Sequence, residues 1–343
     1  MIHKEPIHIG SNCLDPSISS RTLLFLDTNI WIDLAEQATE DSRECLSRLH
    51  EAVTAGRLLC PLSAPLIWEL YKQNHASALR VAKIMDDLSL STTFVSTNEV
   101  LTVEVECFIQ SILTGEPLSI PRRALLVPFV SYLSTNSQIE FPESWLAENR
   151  EKFMSLFTER MKVMTVTNFV DMAKAYFPKP ERKIPPPFSQ VHKRRAEYTK
   201  GDKKKAWWVE AHSIMTSMVL PKLNAIRSKL PIQSQLAILA AINCLPQDGF
   251  KSRIIALFER MPSLFVRTEV MTLSGLDTNR KDSMRDFYDL EMLDIPFAYS
   301  DAFASQDRWL RHIAKTAPVM MKQWPARFLS GLREITCFLR NAL

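Results

Sequence analysis

Glycine is scarce, seven residues in a chain of 343, whereas proline occurs twenty times. Such a composition favours long helices, with proline supplying much of the punctuation. Cysteine is thinly spread as well. Cys13, Cys45, Cys60, Cys107, Cys244 and Cys337 include no Cys-x-x-Cys pair, which argues against a zinc ribbon or a disulfide framework and fits a reducing, cytoplasmic setting. His3, His8, His50, His75, His192, His212 and His312 fall at no metal-ligand spacing. The chain has no G-x-G-x-x-G after a strand, no G-x-x-x-x-G-K-[ST], no H-E-x-x-H and no G-x-S-x-G, so dinucleotide, nucleoside-triphosphate, zincin and hydrolase-elbow chemistries lack a foothold. Long apolar runs are missing too. The longest, Leu236 to Leu245, contains Asn243 and is bracketed by Pro231 and Pro246, well short of the roughly 20 residues that cross a bilayer. The opening MIHKEPIHIGSNCLDPS has no apolar core of a secretory signal, and neither export nor a membrane is expected.

What remains is a globular composition, 46% hydrophobic and 23% charged with a formal charge of +4, long enough for one elaborated domain or two. The stretch with most local definition is TLLFLDTNIWIDLAE, Thr22 to Glu36. Its apolar run, Leu23 to Leu26, reads as a buried strand that stops at Asp27. Thr28 and Asn29 follow as helix N-caps, and Ile30, Trp31 and Leu34 resume at helical spacing. In an open parallel sheet, ligands bind outside the carboxyl ends of strands, which is where Asp27 falls. The plainer alternative is that Asp27 merely caps the helix.

Downstream, Leu46, Leu49 and Val53 define a helix over Asp41–Ala55 that Gly56 ends. Arg57 to Leu62 reads as a second buried strand. Ser63 then caps a helix through Ile67, Leu70 and Tyr71 that carries Glu69. Leu79, Ile84, Met85 and Leu88 mark another helix, with a strand around Phe94 to Ser96. Residues 101–265 show largely helical periodicity, as in Phe153, Phe157 and Met161, broken by Pro117, Pro121, Pro128 and Pro142. Leu264 to Val270 reads as a strand, Asp282 to Leu293 as a helix, Ala302 to Ala304 as a strand and Ala326 to Leu339 as a final helix. Charge is unevenly placed: Lys179 to Lys205 contains ten Lys/Arg and three Asp/Glu, a net of +7 in a chain of +4. Pro185, Pro186 and Pro187 favour an extended loop presenting that charge, including Lys193, Arg194, Arg195, Lys203, Lys204 and Lys205. Trp207 and Trp208 follow as faces on which bases could stack, or else as core tryptophans after a solvated linker.

Three segments, LFLDTNIWID at 24–33, LSAPLIWEL at 62–70 and DLEMLDIPFAYSDAFASQD at 289–307, together resemble the PIN-domain nucleases, which include the VapC toxins and are related to the flap endonucleases. The resemblance lies in the order: a strand ending in Asp-Thr-Asn, a Ser-led helix carrying Glu, a helix-borne Asp, and a strand ending in Ser-x-Asp. It implies an α/β, three-layer fold around a central parallel sheet. Residues 1–100 and 266–343 would form the core, and 101–265 a mostly helical insertion. It also implies a metal-dependent endoribonuclease in which Asp27, Glu69, Asp289 and Asp307 hold Mg²⁺ or Mn²⁺, with Thr28, Asn29 and Ser305 orienting the carboxylates. Four converging carboxylates repel one another unless cations neutralise them, and hard divalent ions with oxygen ligands suit such a site. Asp286 lies three residues before Asp289 on the same helix face. Asp301 precedes the last strand. Both are further candidate ligands, although spacing to Ser305-x-Asp307 favours Asp289. The family resemblance points to RNA without excluding DNA, and is compatible with a toxin or defence role, a regulatory protein partner and a homodimer. The alternatives are a PIN-like scaffold that binds RNA or protein without catalysis, and an all-helical interaction protein.

Overall fold

The computed structural model describes residues 16–116, 120, 125–129, 164–176, 201–243, 250–276, 293–316 and 318–342. In chain order the elements are β1 (Thr22–Leu26), α1 (Thr28–Glu36), α2 (Glu40–Thr54), β2 (Leu58–Leu59), α3 (Ala64–Lys72), α4 (His75–Ser89), β3 (Thr92–Phe94), α5 (Thr97–Thr114), β4 (Leu126–Pro128) and α6 (Val166–Tyr176). There follow α7 (Lys203–Ile214), a π-helical turn (Met215–Val219), α8 (Leu220–Arg227), α9 (Ile232–Asn243), α10 (Phe250–Phe258) and α11 (Pro262–Leu276). Residues 293–299 form a further helix, α12. The chain then continues through β5 (Ala302–Ala304), α13 (Arg308–Lys315), β6 (Arg327–Leu329) and α14 (Leu332–Ala342). The architecture is therefore mixed α/β, predominantly helical, with short parallel strand pairs.

The chain divides into two compact units, each assembled from separated segments. The first comprises residues 1–95, 123–180 and 332–343, and the second 96–122 and 181–331. Helix α11 runs without interruption across the division expected between residues 265 and 266.

In the first unit β1 pairs parallel with β2, Thr22 opposite Leu58 and Leu23 opposite Leu59. Leu62 extends this arrangement by a parallel bridge to Thr93, and β3 pairs antiparallel with β4. Leu23, Leu24, Phe25 and Leu26 are all buried, which is why β1 reads as a continuous apolar run and not as an alternation. Helices α1, α2 and α4 pack on one another, α2 also meets β2, and α14 returns from the far end of the chain onto α2. The expected strand over Arg57–Leu62 is narrower than its apolar content implied, because regular pairing covers only Leu58 and Leu59. Pro61 brings no N–H to a ladder.

The second unit has a core built on α5 and α7–α11, in which Trp207 is wholly buried and meets Phe258 and Phe265 edge-on. The parallel pair β5–β6 sets Ala302 opposite Arg327 and Ala304 opposite Leu329. Two expectations are overturned here. Leu264–Val270 is not a strand but the middle of α11, where Leu264, Phe265, Val266, Thr268, Glu269 and Val270 are all buried. A helix enclosed on nearly every side loses its one-faced periodicity and imitates a buried strand. The final segment is not one helix from Ala326 either. Arg327–Leu329 pairs with β5, Gly331 turns the chain at φ 143°, and only then does α14 begin.

Candidate functional site

In the first unit the structure draws together two of the acids singled out by sequence. β1 ends at Leu26, and the next residue, Asp27, adopts extended backbone and caps α1 by accepting the Thr28 amide at 2.7 Å. Its side chain is nearly shut off from solvent, with 4% exposure. The Thr28 hydroxyl in turn donates to Oε2 of Glu69, so a single residue binds both carboxylates, one through its amide and one through its hydroxyl. Glu69 is half-buried and reaches this position because α3 starts immediately after Ser63. Ser63 occupies the expected N-cap position, yet its hydroxyl makes no capping bond. Asn29, expected to orient the carboxylates, is the second residue of α1 and half-buried.

In the second unit β5 ends at Ala304 and is followed by Ser305, Gln306 and Asp307. Asp307 caps α13 by accepting the amides of Trp309 at 2.7 Å and Leu310 at 3.1 Å. The Ser305 hydroxyl accepts the Asp307 amide at 3.0 Å, which fixes the turn that carries the carboxylate. Asp301 stands at the other, amino-terminal end of this three-residue strand, where its carbonyl accepts the amide of Arg327. Each unit thus places an aspartate just beyond the carboxyl end of a strand from a parallel pair.

Asp286 and Asp289 lie outside the described residues, as do Lys193, Arg194 and Arg195 and most of the basic segment. Lys203, Lys204 and Lys205 form the first turn of α7, after the N-cap Asp202. Trp207 is buried, so it cannot stack on bases, and Trp208 packs half-buried against the same core. Among the described residues no group of three or more His, Cys, Asp or Glu side chains is placed to hold a metal ion. The donors at Asp27, Thr28 and Glu69 are all oxygens, the chemistry preferred by Mg²⁺ and Mn²⁺.

Sequence reasoning passed over the buried glutamates of the second unit, Glu104, Glu210 and Glu269. Glu104, on α5, accepts the Ser263 amide at 2.7 Å, the Ser263 hydroxyl at 2.8 Å and the Tyr299 hydroxyl at 2.6 Å. Burial pushes its carboxyl up to about 7, against the opposing pull of these hydrogen bonds. Glu269, on α11, accepts three successive amides, those of Val319, Met320 and Met321. Burial raises its pKa too, and those amides restrain the rise. A glutamate amid apolar helical residues, as in VEVECFI and VRTEVMT, was the available signal.

Comparison with protein families, with curated proteins and with solved structures finds no match to this chain.

Proposed function

We propose that the protein is a metal-dependent phosphodiester hydrolase, an endonuclease acting on RNA. The observation that carries this reading is the convergence of Asp27 and Glu69 on Thr28, which adjoins the first and lies forty-one positions before the second. Placing two carboxylates beside one threonine costs electrostatic energy that a bound cation offsets. Asp27 and Glu69 are the residues that would hold Mg²⁺ or Mn²⁺, with Asp289 and Asp307 added by the sequence resemblance. A cation bound there supplies an acidified water and stabilises charge on phosphoryl oxygens. Thr28 donates to both carboxylates and so fixes their orientation. Asp27, buried and anchored by the α1 amide, keeps one oxygen in a set direction.

A second reading, a PIN-like scaffold without catalysis, draws on the fact that Asp27 and Asp307 both serve as helix caps. Asparagine caps a helix about as well as aspartate, so substitution to Asn removes the charge and leaves the cap. Labelled single-stranded RNA and DNA are incubated with the full chain in Mg²⁺, Mn²⁺ or EDTA, beside Asp27→Asn, Glu69→Gln and Asp307→Asn. The expected result is RNA cleavage that EDTA abolishes and that each variant lowers by about 100-fold or more. Cleavage undiminished in Asp27→Asn discards the site, and a chain that cuts no nucleic acid returns the scaffold reading.

A further inference from the structure

Beyond the carboxylates, the second unit carries a basic surface that starts where Asp307 ends. From Arg308 to Gly331 the sequence holds Arg308, Arg311, Lys315, Lys322 and Arg327 and not one Asp or Glu. This run alone brings five positive charges to a chain whose net charge is +4. The structure sorts these residues. On α13, Leu310 and Ile313 are buried, whereas Arg308, His312 and Lys315 are exposed. At helical spacing the exposed three fall within about 60° of arc, opposite the buried pair, and rise along the axis in steps of about 6 and 4.5 Å. Arg311 is committed elsewhere, since its guanidinium donates to the Ser330 carbonyl at 3.1 Å and ties α13 to the end of β6.

The stripe does not stop with the helix. Glu269 grips the amides of Val319, Met320 and Met321, and the Trp324 indole donates to the Thr316 carbonyl at 3.3 Å. Both ends of this short loop are pinned, which carries exposed Lys322 back toward the end of α13 that bears Lys315. The buried carboxylate that catalysis does not use thus sets the position of a surface cation.

We propose that Arg308, His312, Lys315 and Lys322 form a track for the phosphate backbone of single-stranded nucleic acid, leading to Asp307. The choice of polyanion rests on the phosphodiesterase reading above. The cations Arg308, Lys315 and Lys322, with the His312 imidazole as a hydrogen-bonding group beside them, match the phosphates of a strand, contacts that confer affinity without base sequence. An anionic membrane fits less well, because Leu310 and Ile313, the large aliphatic residues of α13, are spent in the core and the exposed face of the helix is polar.

The test measures anisotropy of a labelled unstructured RNA with the full chain in EDTA, so that binding is read without cleavage. Arg308→Ala/Lys315→Ala is compared with Arg80→Ala/Lys83→Ala, which removes two exposed charges from α4. Expected is a roughly tenfold loss of affinity in the first pair alone, with the salt dependence of log K shallower by about 1.4. Arg308→Lys/Lys315→Arg restores both. Equal affinity in the two pairs, loss of affinity without change in salt slope, or binding to anionic lipid vesicles in preference to RNA overturns the track. The two ideas fail separately. Binding that depends on α13 in a chain that never cuts RNA leaves the track and removes the nuclease, while Asp27-dependent cleavage with unaltered binding in Arg308→Ala/Lys315→Ala does the reverse.

Discussion

At the scale of single residues, the buried acids divide into two kinds. Asp27 is anchored to the start of a helix and shares Thr28 with Glu69. Replacing Thr28 with Val keeps the amide and removes the hydroxyl, so the carboxylates lose a common orienting donor. On the proposed nuclease reading, the expected outcome is about a 10- to 100-fold fall in cleavage rate with a small change in melting temperature, read by RNA cleavage and circular dichroism on the same preparation. Glu104 is of the other kind. Its carboxyl is raised from 4.5 to about 7 by burial, so the folded state binds its proton more tightly than the unfolded chain does. The stabilisation from that proton is complete below about pH 4.5 and is lost as pH rises toward 7, a change on the order of 3 kcal/mol. Glu104→Gln mimics the protonated acid and removes this slope, so urea titrations place it near the parent at pH 5 and above it at pH 8. Glu104→Ala behaves oppositely, leaving Ser263 and Tyr299 donors buried without their acceptor at about 1–3 kcal/mol for each group.

At the scale of elements, continuity explains more than propensity. Helices α7 and α8 join through a π-helical turn, and Pro221 sits at the second position of α8. Proline has no N–H to return to residue 217 and its ring crowds that carbonyl. The chain widens there, and the hydroxyls of Thr216 and Ser217 serve the carbonyls of His212 and Ser213. Helix α2 ends differently, on Gly56 at φ +72°. Gly56→Ala forces a side chain into left-handed backbone and is expected to cost about 1 kcal/mol, seen as a lower urea midpoint. The interior of the second unit depends on Trp207. Truncating it to Ala leaves Phe258 and Phe265 facing a void, at roughly 3–5 kcal/mol, which equilibrium unfolding measures directly.

At the scale of the whole molecule, the two units interleave along the chain. Neither can be excised as one contiguous fragment without discarding part of its own core. The clearest case is α14, which follows the last strand of the second unit and then packs on α2 of the first. Ile335, Phe338 and Leu339 are buried there, and each contributes about 1.5–3 kcal/mol on burial. Deleting residues 332–343 is expected to destabilise the first unit by several kcal/mol, as judged by the thermal midpoint and by faster proteolysis within α2. Among the described residues no helix is long and apolar enough to cross a membrane.

Local order along the chain made β1, Asp27 and α1 readable in advance, because a buried strand, a capping acid and an amphipathic helix each write a short-range pattern into adjacent residues. Gly56 as the end of α2 and the strand at Ala302–Ala304 were legible for the same reason. Long-range choices were not. Leu264–Val270 has the composition of a strand and became a helix because apolar partners surround it. Trp207 went to the core and not to a nucleic-acid face because Phe258 and Phe265 lie beside it. Glu104 and Glu269 acquired their roles from donors more than forty residues away, at Ser263, Tyr299 and Val319–Met321. Periodicity reports which side of an element avoids water. Which partner waits on that side depends on contacts between distant residues, and those exist only once the chain has folded.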